Sequence, residues 1–273
     1  MRKALWRAFE DDIVNTAKAA AYSGMLMIFP ALLVLATLLA RVEDGPTLIG
    51  EIRGLFEQFL PADTMDMLQG YLMSRRIHSI QLVLSAAGLS LFAGLGVMLS
   101  LMEGFRRAYG LPADSWSFWR RRLRALLLVP IALVPMATAT LFIVFGHEIE
   151  LWMVHNSGNN TRMVVVFFWR MVRWLVSLAT SSVVLTAIYH FGTRRTEHWA
   201  RVAPGAVAGT LIWFPVTLTF GWYVTRLADY TMFYGSFGAG IATLVWLYIT
   251  AFSVLLGAEI NGVLYSERQN ALQ

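Results

Sequence analysis

The chain has 273 residues, of which 57% are hydrophobic and 14% charged, with a formal net charge of +5; soluble domains run at about 45–50% and about 25%. The apolar residues stand in long runs with no polar face, which excludes a water-soluble core built from amphipathic elements. There is no cysteine, which excludes disulfides, thiolate metal sites and a cysteine nucleophile.

In chain order, the first segment (1–18) holds Leu5, Trp6, Phe9 and Ile13 at helical spacing opposite Arg7, Asp11 and Asp12. That pattern predicts a cytoplasmic amphipathic helix on the inner membrane surface. A buried contact with the cytoplasmic loops is the alternative. The apolar run that follows is too long, and begins too late, for a removable signal peptide.

A bilayer core of about 30 Å needs about 20 helical residues to cross it. Ala19 to Ala40, Ile80 to Met102, Ala125 to Gly146, Ala203 to Tyr223 and Phe237 to Ala258 meet that length. A sixth run, Trp174 to Phe191, is shorter and is extended outward by an aromatic prelude holding Arg170 and Arg173. The outer loop, 41–79, carries Ile49, Ile52, Phe56 and Phe59 on one face of a short helix that Pro61 ends, and Asp63 is placed to cap a second. Basic residues set the orientation: 14 fall in the N-terminal segment, the loops after the second and fourth helices and the tail, and six fall in the opposite loops. Both chain ends are therefore expected in the cytoplasm. The predicted fold class is all-α: a polytopic membrane protein with six transmembrane helices, an N-terminal amphipathic helix and a partly helical first outer loop, in one domain over 1–273.

Three stretches carry a family resemblance. The first is Ala20-Ala21-Tyr22 with Phe29-Pro30. The second runs from Phe105-Arg106-Arg107-Ala108-Tyr109-Gly110 to Phe118-Trp119-Arg120-Arg121-Arg122. The third combines Pro204-Gly205, Trp213, Tyr234-Gly235-Ser236, Trp246 and Leu256-Gly257-Ala258-Glu259-Ile260-Asn261. Together, and in this order, they resemble the YihY/BrkB family of bacterial inner-membrane proteins, whose members often carry the label ribonuclease BN. The resemblance implies a six-helix protein of the bacterial inner membrane. It does not by itself imply a reaction.

The residues argue against hydrolysis. His78, His147, His155, His190 and His198 form no metal-binding pair spacing, and the expected topology puts three outside and two inside. No G-x-S-x-G elbow is present. The glycine-rich stretch from Gly235 to Gly240 has no following Lys-Ser or Lys-Thr, so close backbone approach explains it. The arginines beside Trp116 and Trp119 are accounted for by topology, and no nucleic-acid partner is expected. Neither an enzyme, a cofactor nor a metal is expected.

Transport has indirect support. Pro30, Pro130, Pro135 and Pro215 fall within apolar runs, where each removes a backbone donor and favours a kink that can open a cavity. Arg170 and Arg173 share one helix face, either snorkelling to the outer interface or pairing around an anionic group. Glu103 and Glu259 end their helices on the cytoplasmic side, where each could pair with loop arginines such as Arg106 or gate a pathway. Asn261 offers a donor and an acceptor, or a helix cap. Ala86, Ser90 and Gly94, and likewise Gly205 and Gly209, form small-residue faces suited to close helix packing. The leading expectation is transport of an amphipathic or anionic, lipid-like substrate, with membrane lipids as partners; the alternative is a scaffold for envelope assembly.

Overall fold

The computed structural model describes residues 2–39, 80–112, 117–133, 162–193, 198–226 and 237–271. Every regular element among them is a helix: α1 (Arg2–Glu10), α2 (Ile13–Leu39), α3 (Ile80–Ala108), α4 (helical over 118–133), α5 (Arg162–Gly192), α6 (Trp199–Arg226) and α7 (Phe237–Asn270). Five of these contain stretches long and apolar enough to cross a membrane: Ile13–Val34, Val83–Ala108, Phe167–Gly192, Trp199–Val224 and Gly240–Asn270. The predicted helices of the 41–79 loop, the end of the third apolar run with Pro135, and the Tyr234-Gly235-Ser236 motif lie outside the described residues. In α2, α4 and α6 the helix continues through Pro30, Pro130 and Pro215, and also through Pro204.

Most helices outrun their apolar runs: α3 continues past Met102 to Ala108, α4 is helical from 118 rather than Ala125, and α6 spans Trp199–Arg226 rather than Ala203 to Tyr223; two further differences, at α2 and α7, bear on the site. Helix α2 begins at Ile13 rather than Ala19, so Asn15, Thr16 and Lys18 are helical. Asp12 makes this possible: it takes φ 55°, a left-handed conformation that Asp tolerates better than most residues, and turns the chain from α1 into α2. Its Oδ1 accepts from Asn15 Nδ2 at 2.7 Å. Helix α7 runs twelve residues past Ala258, to Asn270; the turn after Ala258 is packed, with Asn261 and Gly262 buried, and the last residues, 267–270, are exposed. Gly262 lies against the Ala108 carbonyl at the end of α3, and Lys3 of α1 pairs with Glu267 at 3.1 Å.

Helix α7 is central, packing on α1, α2, α3 and α6. It approaches α6 through glycine on both sides. A Cβ on Gly257 would stand 2.6 Å from the Gly205 carbonyl oxygen, and one on Gly209 would stand 3.3 Å from that of Ser253. In α3, Gly94 receives Val129 of α4 and Met27 of α2. Between lipid-facing helices no hydrophobic effect drives association, so close backbone approach and polar contacts must do so. The outer surface is apolar, with Leu84, Phe92, Phe168, Leu211 and Trp222 all exposed.

Helix α1 buries Ala4 and Ala8, packs on α7 and α2, and leaves Trp6 and Phe9 exposed at 68% and 69%. Its polar edge also faces the bundle: Arg7 Nη1 donates to Ser266 Oγ at 3.3 Å. Asp11, on the polar face of the helical pattern, is half-buried, and small alanines bring that edge onto α7.

Candidate functional site at the basic end of the bundle

Contacts between successive helix ends gather the start of α2, the end of α3, the start of α4, the end of α5, the start of α6 and the end of α7 at one end of the bundle. Gly192 of α5 lies against Phe105 of α3 and Leu128 of α4, and both terminal helices, α1 and the end of α7, meet here. Three polar arrangements occupy this end.

The first is a carboxylate held by three arginines. Arg106 grips Glu103 through Nη2 at 2.6 Å and through Nε to both carboxylate oxygens at 3.2 Å. Arg107 Nε reaches the same carboxylate at 3.3 Å and Arg121 Nη2, from α4, at 3.0 Å. Helix periodicity places Arg106 and Arg107 one turn beyond Glu103. Gly110, at φ 61°, ends α3: its N–H donates to the Arg107 carbonyl, and Leu111 N–H donates to that of Arg106. Arg106 Nη1 in turn donates to Leu111 O at 2.7 Å, while Arg107 Nη1 reaches Asp11 O at 3.3 Å and Asp12 Oδ2 at 3.5 Å. Beside this cluster opens a groove of about 390 Å³, lined by the acids Asp12 and Glu103, the arginines Arg107 and Arg121, the polar Asn15, Thr16 and Ser100, and the apolar Ala19 and Leu99.

The second arrangement is an amide clamp. Asn261 Oδ1 accepts from Gly205 N–H and its Nδ2 donates to Val202 O, both at 2.8 Å and buried. Pro204 removes one backbone donor from the opening turns of α6, and the Asn261 amide supplies side-chain bonds at that place. Asn261 thus joins two helices instead of capping its own. Beside it the fully buried Tyr189 of α5 donates its hydroxyl to Val254 O of α7, and its ring meets Phe105 edge-on at 5.1 Å.

The third is Glu259. Its side chain is completely buried, and neither carboxylate oxygen has a hydrogen-bond donor among the described residues. The expected pairing with a loop arginine such as Arg106 does not form, because Arg106 is committed to Glu103 and Leu111 O. Glu259 instead meets the Asp11 carboxyl from the α1–α2 turn, with Arg7 close by. Burial raises the Asp11 pKa above the usual carboxylate range, outweighing the nearby Arg7 and Arg107 guanidinium groups, which lower it.

Arg170 and Arg173 lie within α5, away from this end; their side chains lie outside the described residues. The structure does not bring them together with Glu103, Glu259 or Asn261. Sequence reasoning missed Tyr189 and Asp11. Tyr189 carries no motif signal, and Asp11 had one that pointed to solvent. The Pro204-Gly205 pair and the run ending in Asn261 were visible as motifs, and they prove to be the two halves of one contact.

A bundle with five apolar spans among its described residues defines an integral membrane protein of several helices. The chain belongs to the BrkB family: the family model described as virulence factor BrkB matches residues 4–273. It is 28% identical over 251 residues to YfkH of Bacillus subtilis, named as a ribonuclease-like protein, covering 91% of this chain and 89% of that one. It is 25% identical to a UPF0761 membrane protein of Aromatoleum aromaticum, covering 92% of this chain and 60% of that protein. A UPF0761 membrane protein of Ralstonia nicotianae is 27% identical over the whole chain, which spans 60% of its length. No solved structure matches the chain.

Proposed function

We propose that this chain is a non-enzymatic carrier of an anionic, amphipathic and lipid-like molecule across a bacterial inner membrane. The observation that carries the reading is the groove at the basic end, where Arg107 and Arg121, paired with the acids Glu103 and Asp12, stand beside apolar Leu99 and Ala19. An anionic headgroup suits the guanidinium forks, and an acyl chain suits the apolar lining and the lipid-facing flanks. Glu103 keeps those arginines ordered in the empty groove and is displaced in part when an anion enters. Arg170 and Arg173, toward the opposite end, serve as a second anionic contact.

Six crossings with both ends in the cytoplasm fit this reading. The meeting of the terminal helices at one end of the bundle supports an even number of crossings, and the reading takes α4, described over 118–133, as part of the sixth. Reporters fused after Arg124 and Arg201 should read as cytoplasmic, and those after Ser157 and Asp229 as external. On this topology Trp6 and Phe9 of α1 rest in the inner leaflet.

The test uses vesicles containing phosphatidylglycerol with a fluorescent headgroup and a quencher confined outside. Protein-containing vesicles should lose the protected inner-leaflet signal faster than empty ones, and Arg121→Ala should slow that loss. Equal rates with and without protein would overturn the reading. The close glycine contacts between α6 and α7 favour a second reading, a scaffold for envelope assembly, and equal rates would favour it. In the same preparations RNA should stay intact with divalent metal present, since the ribonuclease-like name of a relative has no matching ligand set in this sequence.

A further inference from the structure

The end of α1 presents a carboxyl to a carboxyl. Glu259 is completely buried on α7, both of its oxygens lack a donor among the described residues, and the side chain that meets it is Asp11. Two ionised carboxylates have only acceptors to offer each other; a hydrogen bond forms between them once one holds a proton. Two bare charges side by side, one of them completely buried and the other half-buried, repel.

Three guanidinium groups lie near the pair, those of Arg7, Arg106 and Arg107, but their hydrogen bonds go to other groups; Arg106 is committed to Glu103 and Leu111 O. Arg7 lies near, but it donates to Ser266 Oγ and makes no hydrogen bond to Glu259. Arg107 reaches the Asp11 carbonyl and the Asp12 carboxylate, and Glu10 adds a further negative charge beside Asp11. The buried residues that α2 and α6 bring to this end, Ile13, Thr16, Ala17, Val202 and Ala206, carry no charge. Tyr189 from α5 gives its hydroxyl to Val254 O. A proton is the ligand that fits the space between the two acids.

We propose that Asp11 and Glu259 form a proton-binding site that holds one shared proton and thereby fastens α1 onto α7. Its occupancy couples pH on that side of the membrane to the position of α1. With the proton bound, a single hydrogen bond joins turn and helix, and Ala4 and Ala8 stay packed. When the proton leaves to solvent, the two charges separate by moving α1, the smaller element, off α7. The sign follows from linkage. Asp11 binds its proton more tightly when docked, so docking is complete at low pH and is lost as pH rises through the docked pair's titration. The site stands independently of any transport activity.

The chain's lack of cysteine allows a direct test on the full-length protein in nanodiscs. Ala8→Cys reports the buried α1–α7 contact and Phe9→Cys the exposed side of the same helix, so their labelling ratio by a maleimide cancels the reagent's own pH dependence. The ratio should be low at acid and neutral pH and then rise with pH, by at most about tenfold per pH unit for one linked proton. Glu259→Gln, which keeps the shape and supplies a permanent N–H donor, should hold the ratio low throughout. Asp11→Asn, at the less buried partner, should do the same where Glu259→Gln fails to accumulate. Infrared difference spectra should show a protonated carboxyl that disappears over the same pH range and is missing from both variants. A ratio that does not change with pH, or a pH step that survives in Asp11→Asn, would overturn the proposal.

Discussion

Gly205→Ala tests the close backbone contact between α6 and α7. A Cβ there would overlap the Gly257 carbonyl oxygen and Asn261 Cγ and come within 2.5 Å of Asn261 Nδ2. The first obstacle is helix backbone, which has no rotamer to change, so α6 and α7 must separate. Overpacking of this kind costs about 1–3 kcal/mol. Separation also strains both Asn261 hydrogen bonds, at about 0.6 kcal/mol each for side-chain bonds between membrane helices. The sum is about 2–4 kcal/mol. Gly88→Ala and Gly221→Ala are internal controls, because a Cβ at either position meets nothing within 4 Å. Alanine should leave those two unchanged or raise stability by up to about 1 kcal/mol through helix propensity. The assay is reversible unfolding in mixed micelles, with monodispersity after heating as a second readout. Asn261→Ala in the Gly205→Ala background should cost less than the two changes summed, since the clash already weakens the clamp. A Gly205→Ala protein within about 0.5 kcal/mol of wild type would refute the view that this contact holds the two helices together.

Further predictions concern neighbouring groups. Tyr189→Phe keeps the edge contact with Phe105 but removes the bond to Val254 O, and should lower stability by about 0.5–1.5 kcal/mol in the same unfolding assay. Gly257→Ala should remain destabilising in that background, because the Gly205 carbonyl still stands 2.6 Å from the new Cβ. Arg121→Ala removes bonds from α4 to Glu103 and to Leu99 O, at a cost of about 1 kcal/mol for a partly exposed ion pair; salt titration of stability should show a smaller dependence than in wild type. Arg170→Ala with Arg173→Ala should leave membrane abundance intact while slowing lipid transfer by about tenfold or more, the worth of a lost charge-assisted anion contact. Lysine at both positions should restore little, because it lacks the planar fork. Wild-type transfer in the double alanine variant would leave both arginines as interfacial anchors.

The membrane class and the helix positions were legible because the solvent imposes them. In hydrocarbon each backbone polar group must be satisfied within its own segment, so a crossing is written as a contiguous apolar run. Ile80 and Phe237 were correctly placed as helix starts for that reason, and the order of motifs from Tyr22 to Asn261 identified the family. What lies beyond the apolar run is decided by packing. Asn15, Thr16 and Lys18 give no hydropathy signal for α2, and the turns of α7 beyond Ala258 look like a solvated tail until Gly262 is seen against Ala108.

Partner choice was the part the sequence by itself left undetermined. Glu103 and Glu259 read alike, as acids ending apolar helices near arginines. For Glu103 the arginines on its own helix are one turn away, so local periodicity brings Arg106 and Arg107 to it. Glu259 has no such neighbour, and its surroundings are set by α1, more than two hundred residues earlier in the chain. Composition determines that these helices lie in lipid; glycine contacts and the docking of α1 determine which acid finds an arginine and which finds another acid. The physical reason is that lipid selects apolar segments one at a time, whereas polar pairing inside the bundle depends on distances that exist only once the helices have packed.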